Sequence, residues 1–153
     1  MKTLLPILTL LLSGAAIAPA ADKPNLSGTW KADMAKSDFG PVPAPEGITR
    51  TVVHTEPAIS FEDLQESAIG KELTTRKYST DGKEISFESQ GAEVKSAAKW
   101  DGKILQVTSR VEAASIKVAE SITLSEDGKT MNSVVKYQTP QGDLDLKILY
   151  VKQ

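Results

Sequence analysis

Almost every apolar run in this chain alternates with period two, and short turn signals separate the runs. Leu105, Val107, Ser109 and Val111 share one face of 103–111, with Gln106, Thr108 and Arg110 on the other. In 115–124, Ile116, Val118, Ile122 and Leu124 stand against Ser115, Lys117, Ser121 and Thr123. Met131, Val135 and Tyr137, and then Leu144, Leu146, Ile148 and Tyr150, continue the pattern. Successive side chains of an extended strand point to opposite faces, so this period specifies half-buried strands and not helices. Asp81-Gly82-Lys83, Asp101-Gly102-Lys103 and Asp127-Gly128-Lys129 each lie between two such runs, and Gln90-Gly91 and Gln141-Gly142 are turns of similar kind. An aspartate that bonds its own local backbone, followed by glycine, is hairpin chemistry.

Strands are therefore expected near 27–33, 49–55, 58–65, 71–79, 83–89, 92–100, 103–111, 114–124, 129–138 and 143–152. Neighbours in sequence that pair in space form a meander. The expected fold is all-β, an antiparallel up-and-down barrel of about 8–10 strands, because closure removes exposed edges. A sandwich gives the same periodicity and is the competing architecture. Two stretches interrupt the pattern. Residues 34–48 carry Pro41, Pro43 and Pro45 with Gly40 and Gly47, which forbids a long helix and predicts a lid or a packed Ω-loop. Ser60–Gly70 admits a short helix capped by Ser60, but a strand over 58–65 and a turn over 66–70 is the preferred reading.

Residues 1–20 have the grammar of an export signal. Lys2 precedes an apolar run from Leu4 to Leu12, and Ala18-Pro19-Ala20 supplies a cleavage site before Ala21. Pro6, Ser13 and Gly14 break the run too early for a membrane span, so no stable anchor is expected after cleavage. The expected location is periplasmic or secreted, with residues 21–153 forming one domain of about 130 residues. The chain contains no cysteine, which excludes disulfides, thiolate metal sites, a lipidated cysteine and a cysteine nucleophile. Eighteen Lys+Arg against 20 Asp+Glu exclude nucleic-acid binding that rests on global charge.

The run Asn25-Leu26-Ser27-Gly28-Thr29-Trp30-Lys31 resembles the first barrel strand of lipocalins and fatty-acid-binding proteins, the calycin families, which open on Gly-x-Trp. The strand count and length also resemble the fatty-acid-binding branch, and the whole chain looks like small exported bacterial proteins of unassigned role. The resemblance implies a barrel able to hold a small apolar molecule, with Trp30 as a plug at its floor. It also implies features this chain lacks. Residues 34–48 cannot supply the helix–turn–helix lid of the fatty-acid-binding branch. Leu146-Lys147-Ile148-Leu149-Tyr150 has the tyrosine of that branch's Arg-x-Tyr carboxylate clamp but no arginine two residues before it. No arginine follows Arg110 to lie on the tryptophan, as one does in lipocalins.

His54 is the single histidine, so ordinary transition-metal sites lack ligands, and no metal or cofactor is expected. No catalytic motif selects a nucleophile, and catalysis is not expected; a small-barrel hydrolase or isomerase using His54 or Glu120 is the remote alternative. The more informative residue is Glu120. If Val118 and Ile122 face inward, so does Glu120, and a buried carboxylate needs a partner. One parity of 71–79 turns Thr74, Arg76 and Tyr78 inward, which nominates Arg76 as that partner. The competing placement puts Glu120 at a bulge or a solvated mouth. Small inward residues (Ser96, Ala98, Ser109, Ser133) beside large ones (Phe87, Trp100, Tyr137, Tyr150) suggest either a residual cavity or a flattened barrel. The expected lumen site is Arg76, Tyr78, Trp100, Glu120, Tyr137 and Tyr150, for a small apolar or amphipathic ligand. An interaction module acting through its loops is the second reading.

Overall fold

A computed structural model describes residues 22–89 and 91–153, so the export signal expected over 1–20 and Gln90 of one turn lie outside the described residues. Ten strands follow in chain order: β1 Gly28–Ala32, β2 Gly47–Thr55, β3 Ala58–Ser67, β4 Gly70–Ser79, β5 Ile85–Ser89, β6 Ala92–Asp101, β7 Ile104–Val111, β8 Ile116–Leu124, β9 Thr130–Thr139 and β10 Gly142–Lys152. All pair antiparallel in one sheet of order β4-β3-β2-β1-β10-β9-β8-β7-β6-β5. Among the described residues, the ladder that leaves the meander is β1–β10, which pairs Trp30 with Lys152 and Ala32 with Tyr150. That ladder curls the sheet into a barrel, not a sandwich. Past β4, Asp81 bridges to Lys99, and the Gly82 amide donates to the Ala98 carbonyl at 2.9 Å. The cylinder is therefore joined at that end, while β4 and β5 make no ladder with each other further up.

The hairpins form as their residues dictate: Asp81 Oδ1 accepts from the Lys83 amide at 3.0 Å, and Asp127 Oδ1 from the Lys129 amide at 3.0 Å. Ser60–Gly70 is extended, with β3 running to Ser67 before a two-residue turn. The helical alternative loses because Ile59 and Phe61 are buried at a spacing of two.

The lower half of the barrel is a packed core. Leu26 and Trp30 are both fully buried, and Val52, Ile59, Phe61, Leu105, Ile122 and Met131 surround them. Trp30 is the floor: its Nε1 donates to the Leu26 carbonyl at 3.0 Å. In place of the arginine that the resemblance implied, Lys152 lies over the indole, with Nζ 5.2 Å from the ring centroid. Gly28 makes room for it, since a Cβ there would stand 3.0 Å from Lys152 Cε. The small residues Ser96, Ala98 and Ser133 leave no cavity where they stand; they are buried at 1%, 0% and 0% exposure. Ala98 packs in one cluster with Trp30, Phe61 and Tyr150, the Ser96 hydroxyl pairs with that of Ser109, and the Ser133 hydroxyl is bonded to Glu120.

The segment between β1 and β2 is a strap without helix. It first extends the edge of β10, where the Asp33 amide donates to the Leu149 carbonyl at 2.7 Å and Asp38 and Lys147 exchange backbone bonds at 2.7 and 2.8 Å. It then turns across the upper end of the barrel through Val42, Pro43 and Pro45, with Phe39 buried beneath. Prolines suit this course because few of its amides have a sheet partner to lose.

Candidate functional site

Parity along β2 places Ile48, Arg50, Val52 and His54 inside. Register then sets Asp63 of β3 opposite Arg50, and Phe61 opposite both Val52 of β2 and Arg76 of β4. From the far wall, β8 contributes Glu120, and β9 contributes Ser133, one register step away. These side chains meet in mid-lumen. Arg50 grips Asp63 with two bonds, Nε to Oδ1 at 2.6 Å and Nη2 to Oδ2 at 3.1 Å. Its Nη1 reaches Glu120 Oε1 at 2.8 Å. Arg76 closes the ring, donating from Nη1 to Glu120 Oε2 at 3.0 Å and from Nη2 to Asp63 Oδ2 at 2.7 Å. The Ser133 hydroxyl donates to Glu120 Oε1 at 2.7 Å.

The surroundings explain how charges persist there. Arg50 is 4% exposed, and its guanidinium lies between the rings of Phe61 (5.2 Å) and Tyr150 (4.9 Å). Burial alone would raise the Glu120 carboxyl, but the cations of Arg50 and Arg76 and the Ser133 hydroxyl hold it far below the usual carboxylate range. Asp63 is lowered in the same way, by Arg50 first. Both arginines stay protonated: burial is the largest single effect and opposes the charge, but Glu120, Asp63 and the neighbouring tyrosines together outweigh it. Two cations and two anions thus form a neutral, mutually satisfied quartet joining opposite walls.

Above the quartet lies a cavity of about 390 Å³. Phe39, Val42, Pro43 and Pro45 of the strap form its roof, Ile48, Val118, Val135, Leu146 and Ile148 its apolar sides, and Arg50, Asp63, Arg76 and Glu120 its floor. Gln65, Glu72, Thr74, Tyr137 and Tyr150 add polar atoms. A mostly apolar hollow with a few converging polar groups is the ordinary form of a small-molecule site.

Of the residues expected here from sequence, the structure brings Arg76, Glu120, Tyr137 and Tyr150 to the cavity, and the Arg76–Glu120 pair forms as anticipated. Tyr78 faces inward but lies lower, 5% exposed, with its ring edge-on to Phe61 at 6.1 Å. Trp100 does not approach the cavity. It stands at the opposite end of the barrel because β6 finishes there, and its Nε1 donates to Glu56 Oε1 at 2.6 Å. Glu56 also accepts from Thr80 Oγ1 at 2.6 Å and pairs with Lys23 at 3.1 Å and His54 Nε2 at 2.9 Å. Burial would raise Glu56, but the bonds from Thr80, His54 and Trp100 lower it to about 2. The His54 Nδ1 accepts the Leu26 amide at 3.3 Å, so both ring nitrogens are engaged in holding the floor. Among the described residues no group of three or more His, Asp or Glu side chains is placed to hold a metal ion.

A wider hollow of about 980 Å³ lies across β6–β10, lined chiefly by residues of outward parity. Ala97, Thr108 and Ala119 form one cross-strand row in it. Two of its four cations, Lys95 and Arg110, are tied to Glu112, and Arg110 also to Glu84; Lys117 and Lys136 are the other two. It lacks the buried polar groups that make the lumen cavity specific.

Ten up-and-down antiparallel strands closed through β1 and β10 form a barrel of the fatty-acid-binding-protein-like fold. Solved structures with this fold include a secretory abundant heat soluble protein of Ramazzottius varieornatus, with a TM-score of 0.62 and 11% identity over 83% of this chain and 94% of that one. Zebrafish ileal bile acid-binding protein complexed with cholic acid gives 0.58 and 17% identity, over 84% of this chain and 98% of that one. Fatty-acid-binding protein 1 of Echinococcus granulosus gives 0.55 and 14%, over 82% and 96%. No family model and no curated protein matches the chain by sequence.

Proposed function

We propose that the protein is an exported binding protein that holds a small apolar or amphipathic molecule, without covalent chemistry, in the upper lumen between the strap and the ion quartet. The observation that carries this reading is the cavity itself: about 390 Å³ roofed by apolar strap residues and floored by fixed polar groups. Two of the structures it resembles are named for fatty-acid and bile-acid binding, which supports the reading by analogy of fold. Arg76, Glu120, Tyr137 and Tyr150 contribute the polar surface, and Val118, Val135 and Ile148 the apolar contact. The periplasmic or secreted location rests on the signal-like grammar of residues 1–20.

The test is a fluorescence titration with the neutral dye N-phenyl-1-naphthylamine, beside mass spectrometry of solvent extracts from protein purified out of its native compartment. Saturable dye binding that disappears in a folded Val135→Trp variant is expected, because the indole fills the cavity. Absence of both dye binding and any co-purifying molecule rejects the proposal. N-terminal sequencing of the exported chain is expected to begin at Ala21.

A further inference from the structure

The charged side chains lining the cavity, among the described residues, are Arg50, Asp63, Glu72, Arg76 and Glu120. Two guanidinium groups face three carboxylates, so the lining carries one net negative charge. The arrangement of the cations matters more than the count. Arg50 has Nε, Nη1 and Nη2 all engaged, and aromatic rings cover its planar face. Arg76 gives both Nη atoms to Glu120 and Asp63. Each arginine thus already bridges two carboxylates, so the donors left on Arg76 belong to a cation whose charge Asp63 and Glu120 already balance. An incoming carboxylate would either share Arg76 as a third anion against an already balanced cation, or displace Asp63 or Glu120 and leave a buried anion without its partner, and both are costly.

Nearer the mouth, Glu72 lies on the same face of β4 as Thr74 and Arg76 and is exposed. With Gln65 opposite it in register, it offers acceptors to whatever enters. Its charge attracts a cation and repels an anion at the point where a ligand headgroup would rest.

We infer that this pocket selects neutral or cationic amphipathic molecules, such as alcohols and amines with an apolar tail, and discriminates against carboxylates. This rests on the binding reading above, and deepens it by assigning the headgroup class. The tail packs beneath the strap against Val118, Val135 and Ile148, and the head donates hydrogen bonds to Glu72 or Gln65. A cavity of about 390 Å³ has room for on the order of a dozen waters, which sets the scale for a short single chain or a compact ring system.

The experiment displaces N-phenyl-1-naphthylamine with three probes of equal chain length at pH 7.5: decylamine, 1-decanol and decanoate, each below its micellar concentration. Decylamine and 1-decanol are expected to displace the dye at concentrations at least about tenfold below decanoate, the scale of one charge interaction near a protein surface. Glu72→Gln is expected to narrow the amine–acid gap at least about threefold without unfolding the barrel, since Glu72 is exposed. Decanoate competing as well as decylamine overturns the inference and leaves the binding reading intact. No saturable dye signal, and no heat of binding from any probe, overturns both. Decylamine binding to folded Val135→Trp with undiminished affinity, measured by isothermal titration calorimetry, also overturns it, because the preference would then belong to the protein's exterior.

Discussion

Glu120 of β8 accepts a 2.8 Å hydrogen bond from Arg50 of β2, across the full width of the barrel and 70 residues away in the chain. Neighbouring strands are already held by ladders, so this bond adds something ladders cannot: it fixes the distance between opposite walls. It also divides the lumen into a filled lower half and an open upper one. The floor of the cavity is therefore a rigid polar plane, not a mobile apolar core.

Removing one member of the quartet should be far worse than its surface counterparts suggest. Glu120→Gln leaves Arg50 and Arg76 sharing only Asp63, and it is expected to lower unfolding free energy by about 3–5 kcal/mol. Ser133→Ala removes one bond to the same carboxylate and should cost about 1–3 kcal/mol. Urea denaturation of the two variants measures both, and a Glu120→Gln midpoint equal to wild type would show that the quartet is not closed in solution.

Acid should weaken the fold through these same groups. Asp63, Glu120 and Glu56 all have folded-state values below those of the unfolded chain, the last at about 2. Depressed carboxylates contribute stability that is complete above the unfolded value, near about 4, and is lost as pH falls through the folded one. Denaturation midpoints should therefore stay level from pH 7 to about 5, then fall with increasing slope toward pH 2. Glu56→Gln should flatten the slope between pH 4 and 2, although salt screens part of that contribution because the side chain is 35% exposed. A midpoint that rises on acidification would contradict the pairing.

At the alkaline end the tyrosines report burial. Burial raises Tyr78, Tyr137 and Tyr150, the last to about 12. The protein has three tyrosines in all. The folded protein should show little tyrosinate absorbance at pH 10, where a free phenol is about half ionised. A raised acid contributes stability that is present below its unfolded value and lost as pH rises through the folded one, so ionisation and unfolding should coincide. Tyrosinate appearing below pH 10 with native circular dichroism would place a phenol in solvent.

Most of the architecture was legible because a strand declares its own two faces. Parity nominated Glu120 for the lumen, and one of the two parities open to 71–79 nominated Arg76; the 3.0 Å contact between them selects that choice. The same parity, applied to Ile48, Val52 and His54 of β2, would have turned Arg50 inward and found the centre of the site. The adjacent Val52-Val53 pair obscures that alternation, and Val53 proves to be 63% exposed. Asp63 was hidden likewise in Phe61-Glu62-Asp63-Leu64, where both parities carry an apolar residue and an acid. The misplacements have a different cause. Trp100 has inward parity but sits at a strand end, where facing inward means facing the floor. Ser96, Ala98 and Ser133 were legible as small, but whether they leave space depends on their partners from other strands, which no single strand encodes.

The strap gives the last prediction. Gly40 has φ +58°, and a Cβ there would stand 3.2 Å from the Asp145 carbonyl oxygen and 3.1 Å from Leu144 Cδ1. The backbone oxygen belongs to a paired strand and cannot withdraw, so Gly40→Ala combines left-handed strain with a clash that only the strap can relieve. The strap should then lift at the point where Phe39 and Val42 enter the roof, while β1 and the Trp30 floor remain held by their own ladders. The expected result is a global stability loss of about 1–2 kcal/mol together with a loss of N-phenyl-1-naphthylamine affinity of at least about fivefold. Asp38→Ala, which removes only the bond its carboxylate accepts from the Gly40 amide at 2.8 Å, should fall between the two proteins. Dye affinity unchanged in Gly40→Ala, with the stability loss intact, would mean that the strap is structural and that the ligand is held by the walls alone.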